Sequence, residues 1–189
     1  PRTPAFNPVA KEERNRLIEI HDAASHFFSE MLWESSDGTK VLSYIKKRGL
    51  TEETIRAARL GFAPDSRQEL LQRLIKDGYS KPEILAAGLA IARDTSAGEC
   101  VDRFRMRLIF PIANTNGLLC AFAGRAVREG DEPKYLNSPE TSVYKKSEIL
   151  FGLAEAKSAI RNEKSAIIVE GYMDALTLRQ AGFKHVVAC

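Results

Sequence analysis

Residues 107–127, "RLIFPIANTNGLLCAFAGRAV", set two apolar runs around a short polar break. Asn116-Gly117 is a hairpin signal, because both residues tolerate the positive φ that a tight β reversal needs. The arms, Leu108 to Ala113 and Leu118 to Ala123, are almost wholly apolar and do not alternate. Strands of that kind are covered on both faces, so the stretch predicts an antiparallel hairpin built into a core. Just upstream, "LAIARDTSAGECVDRF" (89–104) holds a turn-rich centre between two short strand candidates and predicts another hairpin.

The sequence before Leu89 has a different period. Apolar residues recur at Leu17, Ile20, Ala24, Phe27 or Phe28 and Met31, which predicts a helix from Lys11 to about Glu34. The preceding "PRTPAFNPVA", residues 1–10, reads as a linker or extended arm. A second helix through Val41, Leu42 and Ile45 stops at Gly49. Thr51 caps a third, which runs to Leu60 with Gly61 as its terminating glycine. Two capping boxes, Ser66…Glu69 and Ser80…Glu83, open two more helices closed by Gly78 and Gly88. The first half is thus expected to be an all-helical packing scaffold. His21 and His26 lie far from other ligand types and suggest no metal site.

Beyond a polar loop, a helix is expected from Leu153 to Asn162. A strand (Ala166–Val169), a helix (Met173–Ala181), Gly182 and a strand (His185–Ala188) then form a βαβ unit with parallel strands. At its first turn "IIVEGYMDAL" sets Glu170 between an apolar run and Gly171, with Asp174 four residues on. A carboxylate directly after "AIIV" meets a desolvation cost that packing alone does not explain, which favours function for Glu170. Asp174 is open between a first-turn acid favoured by the helix dipole and a member of the site.

The formal net charge is +3 over 189 residues, so any nucleic-acid surface must come from clustering. In "DRFRMRLIF", Arg103, Arg105 and Arg107 are two apart. In one strand they share a face, and a row of guanidinium forks on a sheet suits phosphates. Arg125, Lys134 and Lys146 add cations further on. Surface ion pairs to Asp102, Glu129, Asp131 and Glu132 are the alternative. "PKYLNSPET" (133–141) is a loop by composition. Its Lys134, Tyr135 and Asn137 can meet a phosphate, stack on a base and hydrogen-bond a base or sugar, or else Tyr135 packs inward in a proline-bounded turn.

Three cysteines without a CxxC pair exclude a disulfide framework or zinc finger. No signal peptide or membrane-spanning run is visible, so a soluble, cytoplasmic protein is expected. The start at Pro1 without Met, and the end at Cys189 inside an apolar run, suggest a piece of a longer polypeptide.

The strings "VDRFRMRLIFPI", "FAGRAV", "PKYLNSPET", "LFGLAEA" and "VEGYMDALTL" resemble, in the same order, those of bacterial replicative DNA primases, the DnaG family. "YIKKRGLTEETI" and "RLGFAP" resemble the start of that family's RNA polymerase core. "EGYMD" alone marks the wider Toprim superfamily, which includes topoisomerases. The resemblance implies an α+β N-terminal subdomain (helical cluster plus antiparallel hairpins; 11–150) and then the first βαβ of an α/β Toprim subdomain (151–189). It implies Glu170 as the glutamate associated with catalytic Mg²⁺ or Mn²⁺, with Asp174 as its companion. It places Arg103, Arg105, Arg125, Lys134, Tyr135, Asn137 and Lys146 toward a single-stranded DNA template, RNA primer or nucleoside triphosphate.

Zinc ligands are expected only in the parent protein, upstream, and the family's remaining metal-binding aspartates downstream. Replicative helicase and single-strand-binding protein are partners of that parent. Ala123 and Ser147 stand where the family commonly has glycine. By this reading the piece alone binds Mg²⁺ weakly and makes no primer. A non-catalytic single-strand-binding module and a topoisomerase-type Toprim fragment are the competing expectations.

Overall fold

The computed structural model describes residues 8–93 and 98–189. Its centre is the expected hairpin. Strand β4 (Arg107–Ala113) pairs antiparallel with β5 (Leu119–Ala126), from Arg107↔Ala126 to Ala113↔Leu119, with an irregularity at Ile112/Ala113. The reversal is held by Asn114, whose N–H reaches the Leu118 carbonyl and whose Oδ1 accepts from the N–H groups of Asn116 and Leu118. Gly117 supplies the positive φ, +81°. Apart from the last residue of β4 and the last two of β5, both arms are buried.

Helix α1 (Pro8–Glu34) starts three residues earlier than expected, with proline at the first helical position, where a missing N–H costs nothing. Residues 1–7 of the expected arm lie outside the described residues. On the inner face of α1, Phe28 packs edge-on to Phe122 of β5 at 5.3 Å and to Phe104 at 6.4 Å, and His21 stacks on Phe122 at 5.7 Å. Helices α2 (Ser36–Lys47) and α3 (Glu52–Ala57) begin at Ser35 and Thr51, whose side chains accept from Gly38 N and Thr54 N.

The first half is not all-helical. Gly61–Ala63 form strand β1, antiparallel to β4, in a four-stranded sheet of order β1-β4-β5-β6, where β6 is Tyr135–Asn137. Gly61 therefore does not terminate α3. A Cβ there would lie 2.5 Å from the Cβ of Phe28, so this glycine lets strand and helix approach closely. The left-handed residue ending α3 is Arg59 (φ 51°), with Leu60 N bonded to Ile55 O and Arg59 N to Arg56 O. Strand β6 (Tyr135–Asn137) lies inside the stretch expected to be a loop and pairs with β5. Both missed strands have three residues, too few to show a period.

Of the two expected capping boxes, Ser80…Glu83 is formed at the start of α5 (Lys81–Ala86). Ser66…Glu69 is not. Helix α4 (Glu69–Lys76) is capped from elsewhere in the chain. The Asp102 carboxylate, 5% exposed, accepts from Leu70 N at 3.0 Å and Leu71 N at 2.9 Å. Asp102 ends β3 (Cys100–Asp102), which pairs antiparallel with β2 (Ala90–Ala92) as a separate ribbon. Part of the turn expected between them, residues 94–97, lies outside the described residues.

Helix α6 (Leu153–Glu163) leads to β7 (Ile167–Val169), α7 (Tyr172–Gln180) and β8 (Val186–Ala188), with β7 and β8 parallel. Phe151, just before α6, bridges to Ala188 of β8, and the rings of Phe151 and Tyr172, 4.8 Å apart, tie the unit to the main sheet by packing on Phe110 of β4 at 6.5 and 5.6 Å. Gln180 adds a polar latch, donating to Gly49 O and accepting from Thr51 N, each at 2.8 Å. Among the described residues no helix is long and apolar enough to cross a membrane.

Asp102→Ala leaves two buried helix N–H groups without an acceptor and is expected to cost about 2 kcal/mol in urea unfolding, more than loss of a surface cap. His21 is fully buried, its Nδ1 2.7 Å from Leu17 O, and burial pushes its pKa down from 6.5 to about 4. The unfolded chain then takes up the proton first as pH falls. Stability should drop by about 3 kcal/mol between pH 6.5 and 4, and His21→Gln should flatten that part of the profile.

Candidate nucleic-acid and metal site

The sequence-predicted residues fall into two groups. The first lies on the β5–β6 rim. Arg125 and Tyr135 are register partners, with Arg125 Nη1 donating to Tyr135 Oη at 2.7 Å and the guanidinium 5.4 Å from the ring centre. Tyr135 is 41% exposed, so it does not pack inward. The pair presents a flat cation beside a flat ring. Lys134 is exposed next to it. Its backbone is fixed by Ala126 N, which donates to the Lys134 carbonyl, and by its own N–H to Glu132 Oε2. Asn137 is half-buried, and its Oδ1 is buried with no hydrogen-bond partner.

The arginine row expected on one strand is not there. β3 stops at Asp102 and β4 starts at Arg107, and between them Met106 takes a positive φ of 47°. Phe104 is drawn into the cluster with Phe28 and Phe122. The turn that seats it sends the three arginines different ways. Arg103 gives Nε and Nη2 to the Asn137 carbonyl, at 3.2 and 2.9 Å. Arg107 is 7% exposed and gives Nη1 to the carbonyls of Pro133 (2.8 Å) and Gly124 (3.3 Å). Burial lowers the pKa of both guanidiniums, and nearby Asp131 and Glu132 offset this at Arg107. Arg105 alone points outward.

Surface ion pairs do not account for these cations. Among the described residues the side chains of Arg105, Lys134 and Lys146 form no ion pair or hydrogen bond, and Arg125 is bonded only to Tyr135. A second exposed pair of the same kind was missed in the sequence. Arg48, the residue that follows α2, donates Nε to Tyr44 Oη at 3.2 Å, with the guanidinium 5.6 Å from the ring. Its i,i+4 spacing was the available signal.

The second group surrounds the β7–α7 turn. Lys146 opens a 3-10 turn (Lys146–Glu148) and lines a cleft of about 550 Å³ with Ile112, Tyr144, Phe151, Tyr172 and Cys189. Tyr172 begins α7, two residues after Glu170. The carboxylate of Glu170 is exposed, and its strand is only half-covered, with Ile168 63% exposed. The desolvation argument from "AIIV" therefore fails here, because β7 has one strand neighbour and an open outer face.

Asp174 is exposed on the first turn of α7, which has no side-chain cap. A Cβ on Gly171 would lie 2.5 Å from Asp174 Oδ2, so the carboxylate is folded back over the turn into space that the glycine leaves open. Among the described residues no three His, Cys, Asp or Glu side chains gather in a metal cluster. Two solvent-facing carboxylates at one turn suit a hard divalent cation as part of its shell, with the remaining positions left to water, phosphate or further acids.

Residues 27–157 match the family model of the DNA primase catalytic core, N-terminal domain. The DNA primase of Listeria monocytogenes is 39% identical over 181 residues, which is 96% of this chain and 29% of that protein. A crystal structure of the RNA polymerase domain of the Mycobacterium tuberculosis primase DnaG superposes with a TM-score of 0.86 at 35% identity, over 93% of this chain and 56% of that one. A DnaG primase catalytic domain solved bound to single-stranded DNA gives 0.84 at 35% identity, over 94% and 56%. The chain thus spans about three-tenths of its curated relatives. With the family model covering more than half of its residues, the chain belongs to the DNA primase catalytic core family and carries that core's N-terminal domain.

Proposed function

We propose that this chain is part of a template-directed RNA polymerase that makes short RNA primers on single-stranded DNA at the bacterial replication fork. The observation that carries the proposal is the β5–β6 rim, where the Arg125–Tyr135 pair and unpaired Lys134 stand together on a fixed sheet. A ring can stack on a base of any identity while the cations follow the backbone, which suits an enzyme that copies varied templates. Arg105 and Asn137 extend this surface, Arg103 belongs to it through the strand it holds, and Lys146 adds a cation at the β7–α7 turn. The α+β part, 11–150 together with the start of α1, is the template platform. Residues 151–189 are the opening βαβ of a Toprim subdomain.

In that subdomain Glu170, with Asp174, would hold Mg²⁺ or Mn²⁺. Bound there, the ion would balance charge on the reacting phosphate and favour the ionised attacking hydroxyl. The chain's own residues do the positioning. Lys146, which lines the cleft together with Tyr172, would draw in a nucleotide phosphate, and the first N–H groups of α7 offer a further anion contact. Nucleotidyl transfer joins a 3′-hydroxyl to the α-phosphate of a nucleoside triphosphate and releases pyrophosphate. One pair of exposed carboxylates does not complete this chemistry, so the piece alone is expected to bind template and make no primer. Helicase and single-strand-binding protein are assigned to the longer protein. Family membership removes the topoisomerase reading; a purely binding role remains the description of the isolated piece.

The platform is tested by single-stranded DNA affinity as a function of salt. Arg105→Ala and Lys134→Ala should each make the slope of log K against log salt shallower by about 0.7. Unchanged slopes in both would remove the assignment. In a primase of full length carrying this segment, Glu170→Gln should abolish primer synthesis and leave template affinity within about twofold. An active variant would end the metal-ligand role.

A further inference from the structure

We infer that Arg103 and Arg107 are positioning residues: they clamp the two ends of β6 and hold Lys134, Tyr135 and Asn137 in their presented array without contacting nucleic acid themselves. The inference rests on the reading of the β5–β6 rim as the nucleic-acid face.

Both guanidiniums are spent on main-chain carbonyls at the borders of one short segment. Arg107 holds Pro133 O, immediately before Lys134, and Arg103 holds Asn137 O, at the end of the strand. Between these two bonds lie all three rim groups of "PKYLNSPET". β6 has three residues and pairs only with β5, so it is an edge strand with little area of its own to keep it docked. A frayed β6 would carry Tyr135 away from Arg125 and Lys134 away from the rim.

The arrangement is costly in ways that packing alone does not require. Among the described residues neither arginine has a carboxylate partner within ion-pair distance, and burial depresses the charged form of each. Met106 takes the left-handed conformation just before Arg107. Gly124, itself the second acceptor of Arg107, lacks a Cβ that would sit 2.8 Å from Arg107 Cδ. An apolar side chain at 107 would fill the same space with a neutral group. What it could not do is donate to two carbonyls of different segments from one nitrogen. Glu132, next to Pro133, accepts a further bond from Lys134 N.

Clamp and ligand differ in a measurable way. A clamp changes the fraction of molecules with β6 docked, which scales apparent affinity by that fraction and leaves the phosphate contacts of the docked state intact. A phosphate ligand changes the number of counterions released and hence the salt slope. The experiment uses the 189-residue chain as wild type, Arg103→Met, Arg107→Met and Arg103→Lys, with a labelled oligothymidylate across a salt series and amide hydrogen exchange on the free proteins. The expected result is roughly tenfold weaker binding at every salt concentration with an unchanged slope. The Ala126 and Ser138 amides, which bond across β5 and β6, should exchange faster, while amides shared by β4 and β5 keep their protection. Arg103→Lys retains the charge but not the two-nitrogen fork, and should resemble Arg103→Met.

A slope shallower by about 0.7 with β6 exchange unchanged, unaltered affinity, rescue by Arg103→Lys, or lost protection throughout the sheet would each overturn the inference. Absence of salt-dependent binding by the wild type would refute the nucleic-acid reading instead, and the exchange data would still decide whether the arginines clamp β6.

Discussion

The close contact between α1 and the sheet at Phe28 and Gly61 sets the geometry of everything above it. Phe28 can meet Phe122 and Phe104 only because the strand below offers no Cβ at position 61. Each fully buried phenylalanine contributes on the order of 2 kcal/mol from lost apolar exposure, so this cluster outweighs a local preference for regular backbone. The consequence reaches the candidate site. Seating Phe104 ends β3, forces Met106 into the left-handed region, and divides the arginines between interior and surface. A core contact thereby decides which cations remain for a ligand.

That dependence explains which parts of the fold were legible in the sequence. The hairpin at Asn114 to Gly117, the Thr51 cap and the Ser80…Glu83 box are written within a few residues, and local chemistry suffices to read them. The Asp102 cap on α4 joins residues 31 and 32 apart, and Gly61 owes its place to a helix some thirty residues upstream. Neither leaves a short-range pattern. Alternation at 103, 105 and 107 was a strand signal in form, but alternation states which side chains would share a face if a strand exists. It does not state that one exists.

The candidate site shows the same division. Lys134, Tyr135 and Arg125 were legible as residue types suited to phosphate and base, and their register across β5 and β6 joins them. Arg107 was visible only as a third charge in a row. Its role emerges from two carbonyls, Gly124 and Pro133, that lie 17 and 26 residues away. Glu170 was singled out by a desolvation argument that its exposure does not support. The motif resemblance reached the same residue independently, because a motif records what a turn is used for and burial records only what surrounds it.

Net charge said little, and the structure gives the reason. On the helical side many cations are matched: Arg16 with Glu83, Lys40 with Asp37, Arg56 with Glu52, Arg59 with Asp22, Arg73 with Glu30 and Asp77. Exposed pairs of this kind add little stability, yet they cancel the local field. Around the β5–β6 rim and the Lys146 turn the match is incomplete: Lys145 pairs with Glu148 and Asp131 and Glu132 lie near Arg107, while the side chains of Arg105, Lys134 and Lys146 have no acidic partner among the described residues. A small excess of +3 can therefore coexist with individual exposed cations that no carboxylate pairs. The quantity that bears on nucleic-acid binding is the arrangement of unmatched charges. That arrangement is set by the aromatic core turning Arg105 outward, half-burying Arg103 and burying Arg107.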